Sequence, residues 1–300
     1  MLELWGVGDL ALAMPFLRQA STHARVTLLA KAHAAPLLQR FAPQVKLLVL
    51  NAPWTAFTHK YHLHRWRWPV LRRVLREMRR RGFDAAVSAR PDPRDHVLMR
   101  LTGARRRVGF PRTGSAPLLT DRLTRPGSLH RAAHWQRLAD HLDWPSTAPP
   151  PPEVPANIRR IVFHTGAGHP VRRWPPERFA ELAVRARAAG FEVTTLDDGI
   201  DSLDTLMNEL ARGDFFVGND SGPGHLAASL GIATFTIFGA QLPETFHPVH
   251  PRASWIEGAP CPHKPCFDRC RFERPHCLLD LSVDAVWSEL AKALPASSPA

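Results

Sequence analysis

The feature that most constrains the fold of this chain is a repeated alternation between short apolar runs and stretches of helical periodicity. Residues 160–164 and 234–238 are examples of the runs, and residues 176–189 form one of the helical stretches. Such alternation implies right-handed crossovers between parallel strands, with helices covering both faces of the sheet. The sequence therefore predicts an α/β fold.

The alternation continues through both halves of the 300-residue chain. The predicted strands are residues 2–5, 25–30, 45–50, 85–88, 107–110, 160–164, 191–196, 215–218 and 234–238. The predicted helices are residues 10–19, 33–41, 70–81, 176–189, 202–212, 224–230 and 283–294. Between the halves lies APPPPEVP, residues 148–155, which cannot enter a helix or a central strand. Two Rossmann-like domains are therefore predicted, residues 1–150 and 156–300.

Positive charge is concentrated in the first half of the chain. Residues 1–156 contain 25 Lys and Arg against 10 Asp and Glu, whereas the remainder contains 14 against 17. A basic half suggests a polyanionic partner, such as nucleic acid, an anionic membrane surface or a phosphorylated glycolipid. The alternative is a surface solvated by arginine that has no such partner.

The N-terminus and the hydropathy of the chain bear on its compartment. The first residues, MLELWGVGD, have neither the basic region nor the small-residue cleavage site of a signal peptide. No apolar run reaches the length of about 18 residues that a membrane span needs. We therefore expect a cytoplasmic protein.

The strongest candidate site follows the predicted strand at 215–218, where the letters NDSGPG open a helix. Ligands of parallel sheets bind at the carboxyl ends of the strands, and the N–H groups of a helix N-terminus attract phosphate. The loop therefore predicts a diphosphate site, with His225 as a further donor and Asp220 accepting hydrogen bonds from sugar hydroxyls. The alternative is a plain N-cap at Asp220 or Ser221.

A second candidate loop, HTGAGHPVRRWPPER, follows the strand at 160–164. The Thr165 hydroxyl, the loop N–H groups and an arginine, Arg172 or Arg173, would together neutralise a diphosphate leaving group. The alternative for the two arginines is a solvated face. Trp174 is interpreted as a core residue beneath the loop.

The first loop of the N-terminal half, residues 6–9, places Asp9 at the start of an apolar helix. A carboxylate at the end of the first strand can remove a proton from an attacking acceptor hydroxyl. The alternative is an N-cap, which needs no ligand.

Three segments carry a resemblance to a known family. GVGDLALAMPFLRQ, FHTGAGHPVRRWPPERFAELA and FVGNDSGPGHLAASLGIATFTIFGAQLPETFHP occur in this order. Together they resemble glycosyltransferase family 9, the ADP-heptose:lipopolysaccharide heptosyltransferases. A later segment, CFDRCRFERPHCL, is similar to a cysteine-bearing segment of some members. The resemblance implies a GT-B-like fold, with two Rossmann-like domains facing a central cleft, and inverting transfer that requires no cofactor.

The resemblance also implies roles for individual residues. Asp9 matches the general base of the family. The donor-binding residues that it implies are Thr165, Gly166, Arg172, Asp220, Ser221, Gly222 and His225. Arg172 stands where the family usually has a lysine. A planar guanidinium, which can donate two parallel hydrogen bonds, therefore replaces a compact ammonium group at the phosphate.

The chain departs from the family between the strand at 191–196 and the helix at 202–212. Only DDGID, residues 197–201, intervenes, where the family has a longer stretch with a glycine-rich loop and a nucleotide-binding glutamate. One strand–helix step is therefore expected to be missing, and Asp197 or Asp198 is the candidate replacement for the glutamate.

The predicted helix at 70–81 is strongly basic, with its apolar residues on one stripe and arginines on the rest. One interpretation is an amphipathic helix packed on its domain. The other is a docking surface for an anionic leaflet or a lipid-A-type acceptor. The candidate contacts in this region are Arg65, Arg67, Arg72, Arg73 and Arg76.

The four cysteines lie together, with the spacing C-x4-C-x3-C-x6-C. Regular zinc sites usually contain C-x2-C, which is absent here, and a cytosolic location favours thiols or metal over disulfides. Two alternatives remain open: free thiols, or a structural metal held by Cys261, Cys266, Cys270 and Cys277.

The primary functional prediction is inverting transfer of a heptose from ADP-heptose to an inner-core lipopolysaccharide acceptor. Its partners are an ADP-sugar donor, an anionic glycolipid and the inner face of the cytoplasmic membrane, without nucleic acid. The short segment 197–201 motivates an alternative, a related transferase with another nucleotide sugar or a protein acceptor. A different class is a non-enzymatic protein that binds polyanions or membranes, which would leave the Asp9 and Asp220 loops without a role.

Overall fold

The computed structural model describes residues 1–56, 62, 64, 66–144, 157–266 and 268–294. The chain divides into two compact units, Met1–Thr147 and Ala148–Ala300. The proline-rich joint at 148–155 and the candidate residue Arg65 lie outside the described residues.

The N-terminal unit contains two three-stranded parallel sheets. The first has the order β1-β2-β3, formed by Leu2–Glu3, Thr27–Ala30 and Lys46–Val49. The second has the order β4-β5-β6, formed by Ala85–Val87, Arg106–Gly109 and Asp121–Arg122. The helices are α1 (Val7–His23), α2 (Ala34–Phe41), α3 (Trp68–Arg81), α4 (Pro93–Leu101) and α5 (Arg131–His141).

The C-terminal unit contains one five-stranded parallel sheet. Its strands are β7 (Arg160–His164), β8 (Glu192–Leu196), β9 (Phe215–Asn219), β10 (Ala233–Phe238) and β11 (Ala253–Glu257). Its helices are α6 (Pro176–Ala188), α7 (Leu203–Leu210), α8 (Gly222–Ser229), α9 (Pro243–Phe246), α10 (His276–Leu279) and α11 (Val283–Ala293). The predicted α/β class with parallel sheets is confirmed.

The strand order of the C-terminal sheet, β11-β10-β9-β7-β8, determines where a ligand can bind. From β7 the chain passes to β8 on one side and then crosses to β9 on the other. The order therefore reverses between β7 and β9. In open parallel sheets the carboxyl ends of the strands at such a switch point form a crevice.

Each unit has its own apolar core. In the C-terminal unit Trp174, Phe163 and Phe215 are fully buried within one cluster. The predicted position of Trp174 as a core residue is confirmed. In the N-terminal unit Val74 and Met78 of α3 pack with Leu4 and Met99, because α3 places its apolar residues on one stripe.

Candidate functional site

Two of the predicted loops meet at the switch point of the C-terminal sheet. β7 pairs directly with β9, with His164 opposite Gly218. The loop that begins at Thr165 and the loop that begins at Asp220 therefore start side by side. This places the candidate residues of both loops in one region of the C-terminal unit.

Asn219, the last residue of β9, ties the two loops together. Its side chain is fully buried. The amide donates to the carbonyl oxygens of Thr165 at 2.8 Å and Gly166 at 3.3 Å. Its oxygen accepts from the backbone N–H of Trp174 at 2.9 Å. Asn219 therefore fixes both ends of the segment that carries Arg172.

The short segment 197–201 packs against the first of these loops. A Cβ atom on Gly166 would overlap the Asp198 carboxylate, so the absence of a side chain at Gly166 lets Asp198 approach the loop backbone closely. Asp198 also pairs with Arg173 at 2.8 Å, and Arg173 donates to the carbonyl oxygen of Ala167. Asp198 therefore lies beside the predicted phosphate loop, and Arg173 serves to shape that loop.

The guanidinium of Arg172 lies between two carboxylates. Its Nε and Nη2 atoms donate to both oxygens of Asp268, the second at 2.7 Å, and its Nη1 donates to Asp220 at 3.2 Å. The Asp220 side chain is only 4% exposed, whereas that of Arg172 is 25% exposed. Asp268 lies within the cysteine segment, and sequence reasoning missed it because no local pattern marks it.

Helix α8 begins beside this pair. Ser221 occupies the N-cap position, but its hydroxyl donates to the carbonyl oxygen of Asn219 at 3.2 Å and caps no helical N–H group. The alternative of an N-cap at Ser221 is therefore correct in position, although its hydroxyl makes no capping hydrogen bond. Gly222 is half-buried, and His225 is buried in the first turn. The sequence-predicted donor residues thus lie in the loops after β7 and β9 and in the first turn of α8.

In the N-terminal unit Asp9 lies in the first turn of α1 and lines a small, open cavity. The N-cap of α1 is Gly6, so the alternative that Asp9 is an N-cap is wrong. The carboxylate pairs instead with the guanidinium of Arg90, which follows β4. Sequence reasoning missed Arg90, because one arginine among many carries no signal in a basic half.

Further charged groups surround this cavity. Glu3 is buried and lies 3.5 Å from the Nε of Arg90. Burial raises the pKa of the Glu3 carboxyl, and Arg90 opposes this shift. Burial also lowers the pKa of Arg131, which lines the cavity, and of Lys31. The N-terminal candidate site is therefore a charged pocket with a carboxylate, Asp9, 23% exposed at its wall.

The basic helix α3 is amphipathic, with an apolar stripe in the core and arginines at the surface. Val74 and Met78 pack into the core of its unit, which confirms the amphipathic interpretation. Arg67, Arg72, Arg73 and Arg76 are exposed. The other arginines of this helix include Arg80 and Arg81, which both pair with Glu77.

The four cysteines form no disulfide, and they line one pocket together with Val171 and Gly239. Burial raises the pKa of the Cys277 thiol. Within the described residues, no three His, Cys, Asp or Glu side chains lie close enough together to hold a metal ion. In the same part of the chain, no helix combines the length and the apolar character that a membrane crossing requires.

With this geometry established, the chain can be compared with known proteins. The family model "Glycosyltransferase family 9 (heptosyltransferase)" matches residues 199–276, which include Asp220, Ser221, Gly222, His225 and Asp268. The predicted resemblance to family 9 is confirmed. So is the coarser prediction that the chain is a glycosyltransferase. No curated protein sequence gives a significant match.

Solved structures show that the family 9 resemblance extends to the fold of the whole chain. The Escherichia coli ADP-heptose lipopolysaccharide heptosyltransferase II is 18% identical, with a TM-score of 0.66 and 97% of each chain covered. A family 9 glycosyltransferase from Veillonella parvula is 20% identical, with a TM-score of 0.75 and coverage of 97% and 95%. The E. coli heptosyltransferase WaaC with ADP is 15% identical, with a TM-score of 0.74 and coverage of 97% and 98%. The predicted GT-B-like fold class is thereby confirmed.

Proposed function

We propose that this chain is an inverting glycosyltransferase that moves a heptose from ADP-heptose to an inner-core lipopolysaccharide acceptor. The observation that carries the proposal is the Arg172–Asp220 pair beside the N-terminus of α8, at the switch point of the sheet. A guanidinium and a buried carboxylate in one crevice match the two parts of a nucleotide sugar, an anionic diphosphate and a ring of hydroxyls. The WaaC structure with ADP supports the choice of base.

The C-terminal unit is the donor-binding unit in this proposal. The hydroxyl of Thr165, the N–H groups at Gly166, Ser221 and Gly222, the guanidinium of Arg172 and the ring of His225 stabilise the diphosphate. Charge-assisted hydrogen bonds and a helix N-terminus both act on the negative charge that grows as the leaving group departs. Asp220 accepts hydrogen bonds from hydroxyls of the donor sugar and orients its anomeric carbon.

The N-terminal unit is the acceptor-binding unit, and Asp9 is its general base. An acceptor hydroxyl transfers its proton to the Asp9 carboxylate while the oxygen forms a bond to the anomeric carbon. The bond between that carbon and the diphosphate oxygen breaks on the opposite face, so the anomeric configuration inverts. The exposed part of the Asp9 side chain at the cavity wall supports this role, because a base must reach within hydrogen-bond distance of the proton.

The exposed arginines of α3 give the protein a peripheral contact with the inner face of the cytoplasmic membrane. Each cation near an anionic surface contributes about 1 kcal/mol. Replacing Arg72, Arg73 and Arg76 by Gln should therefore strongly reduce cosedimentation with phosphatidylglycerol vesicles at low salt, while phosphatidylcholine vesicles serve as the uncharged control. Equal binding of both proteins to the anionic vesicles would contradict the contact.

The primary test of the function is ADP release from ADP-heptose in the presence of heptose-deficient lipopolysaccharide. Transfer should yield ADP and a heptosylated acceptor of matching mass. Turnover of UDP- or GDP-sugars would identify a different donor, and transfer to a protein would identify a different acceptor. In both cases the chain would still be a glycosyltransferase. If no donor is turned over and the protein binds nucleic acid in a salt-dependent manner, the chain is a polyanion-binding protein and not an enzyme.

A structural metal at the four cysteines stays a prediction, although no three His, Cys, Asp or Glu side chains of the described residues lie close enough together to hold an ion. If Cys261, Cys266, Cys270 and Cys277 hold a metal, the purified protein should carry about one equivalent of zinc or iron, as tetrathiolate sites do. Elemental analysis with a chelator-treated control measures this directly. Metal-free protein with four titratable thiols would leave the free-thiol alternative.

A further inference from the structure

Arg90 joins two loops of the N-terminal unit that are far apart in sequence. It follows β4, while Asp9 follows β1 in the first turn of α1. The Nη2 atom of Arg90 pairs with Asp9, and its Nε lies 3.5 Å from the Oε1 of Glu3. A single guanidinium therefore bridges the proposed base and a second carboxylate.

The bridge is fixed from several sides. The guanidinium lies over the ring of Trp5, 4.6 Å from its centroid, a contact that favours a cation. The backbone N–H of Trp5 donates to Glu3 at 3.2 Å, and that of Arg90 donates to the Ser88 hydroxyl at 3.2 Å. Burial alone would lower the pKa of Arg90, but Asp9 and Glu3 outweigh it and raise the pKa. Arg90 is therefore a permanent, oriented cation.

The two carboxylates differ in their access to the cavity. The Glu3 side chain is 2% exposed and that of Asp9 is 23% exposed. Both side chains line the cavity, but the larger exposed fraction of Asp9 makes it the more accessible of the two to a ligand, while Glu3 anchors Arg90. The Arg90 side chain, 14% exposed, acts on a ligand chiefly through the position that it gives to Asp9.

We propose that Arg90 is a positioning residue for Asp9, and that Glu3 holds Arg90 in place from the other side. The inference rests on the proposed function, in which Asp9 removes the acceptor proton. A misplacement of a reacting group by about 1 Å can cost roughly 100-fold in rate. Only arginine offers a rigid fork that reaches both carboxylates, because lysine presents a single ammonium group.

The test compares Arg90→Lys and Arg90→Gln with the wild type and with Arg94→Lys. Arg94 lies over the same Trp5 ring, at 5.9 Å, but pairs with Asp92, so it controls for loss of a neighbouring guanidinium. Arg90→Lys should lower kcat about 10- to 100-fold with the KM of the acceptor and the Kd of ADP unchanged. Arg90→Gln should lower kcat further, and Arg94→Lys should leave it within about twofold.

A double-mutant cycle separates positioning from a merely structural role. In an Asp9→Asn background, Arg90→Lys should cause no further loss of kcat, because Arg90 acts through Asp9. A structural role instead predicts the same loss in both backgrounds, along with a lower Tm. That additive result, or an unchanged kcat in Arg90→Lys, would overturn the inference. Wild-type protein that transfers no sugar from any donor would overturn the proposed function and the inference together.

Discussion

In each unit of this protein the candidate site holds an arginine between two carboxylates, and the two arginines differ in how exposed they are. In the N-terminal unit Arg90 lies between Glu3 and Asp9, and it is 14% exposed. In the C-terminal unit Arg172 lies between Asp220 and Asp268, and it is 25% exposed. Arg90 also has an aromatic ring against its face, whereas Arg172 stands on a short 3-10 helix in a loop.

The two sites differ in which charged group is accessible to a ligand and which one only holds a neighbouring side chain in place. Arg90 is enclosed, and the more exposed member of its set is the carboxylate Asp9. Arg172 is itself the more exposed member, and the most buried carboxylate of its set is Asp220, 4% exposed. The N-terminal site therefore presents a carboxylate and the C-terminal site presents a cation, which match what the proposed reaction needs for acceptor activation and diphosphate departure.

The largest effect is expected at the N-terminal base. Asp9→Asn should reduce transfer about 10²- to 10⁴-fold, because the amide cannot accept the acceptor proton. Binding of ADP should be unchanged, since the donor residues belong to the other unit. Steady-state ADP release and calorimetric titration with ADP measure the two quantities. Asp84→Asn, at an exposed aspartate, is the matched control. If Asp9→Asn retains transfer, Asp9 is not the general base, and the proposed division of roles between the two units fails.

The next effect concerns the C-terminal cation. Arg172→Ala should weaken ADP binding about 10- to 100-fold, because a charge-assisted hydrogen bond contributes about 1.5–3 kcal/mol. Arg172→Lys should weaken ADP binding by a smaller factor, since lysine keeps the positive charge but lacks the planar guanidinium that donates two parallel hydrogen bonds. Titration calorimetry checks both, with Arg212→Ala, an exposed arginine paired with Glu209, as the control. Unaltered ADP affinity in Arg172→Ala would show that this arginine serves the fold alone.

The third effect concerns Asn219, which holds the two loops of the C-terminal site together and should therefore contribute to the free energy of unfolding. Asn219→Ala removes the hydrogen bonds to Thr165, Gly166 and Trp174, which should lower the free energy of unfolding by about 3 kcal/mol. Chemical denaturation measures the loss, and Asn157→Ala, at an exposed asparagine of the same unit, should change the free energy of unfolding by less than about 0.5 kcal/mol. A similar small change in both variants would mean that the two loops are held independently of Asn219.

The smallest expected effect is a pH dependence in the N-terminal unit. Burial raises the pKa of Asp95 to about 7, with Asp92 and Glu3 adding to the shift and Ser88 and Arg90 opposing it. Because the folded-state pKa is higher than the ordinary value, this group favours the folded state at low pH. Its contribution is lost as the pH rises from about 4 through 7.

Asp95→Asn should therefore lose less stability between pH 5 and pH 8 than the wild type. Denaturation curves at the two pH values give the difference directly. His134 shifts in the other direction, since burial lowers its pKa to about 4, but it is present in both proteins and cancels. Parallel pH profiles for the two proteins would contradict a buried, titrating Asp95.

The sequence predicted the C-terminal unit better than the N-terminal one, for physical reasons. Its strands are continuous buried runs, such as FFVGN and ATFTIF, and glycine-rich turns mark the loops at their ends. In the N-terminal unit β1 and β6 are two residues long. Helices α4 and α5 were not predicted, because buried polar residues interrupt their apolar pattern, among them Asp95, His96 and His134.

The same difference applies to the candidate sites. Thr165, Arg172 and Asp220 could be predicted because each follows a recognisable strand and a turn motif. Arg90 and Asp268 could not, because a partner that closes an ion pair from a distant segment leaves no local pattern. Such pairs are set by tertiary packing, which no single-sequence periodicity encodes.

The central claim is that the C-terminal unit takes an adenosine diphosphate sugar, and ligand-dependent thermal stabilisation tests it most directly. The wild-type protein would be heated with ADP, ADP-heptose, UDP or GDP, each at the same concentration. A ligand at about 100 times its Kd adds roughly 2.7 kcal/mol to the folded state. If the C-terminal unit binds an ADP-sugar, ADP and ADP-heptose should raise the Tm and UDP and GDP should not. An equal rise with UDP or GDP, or no rise with any of the four, would contradict it.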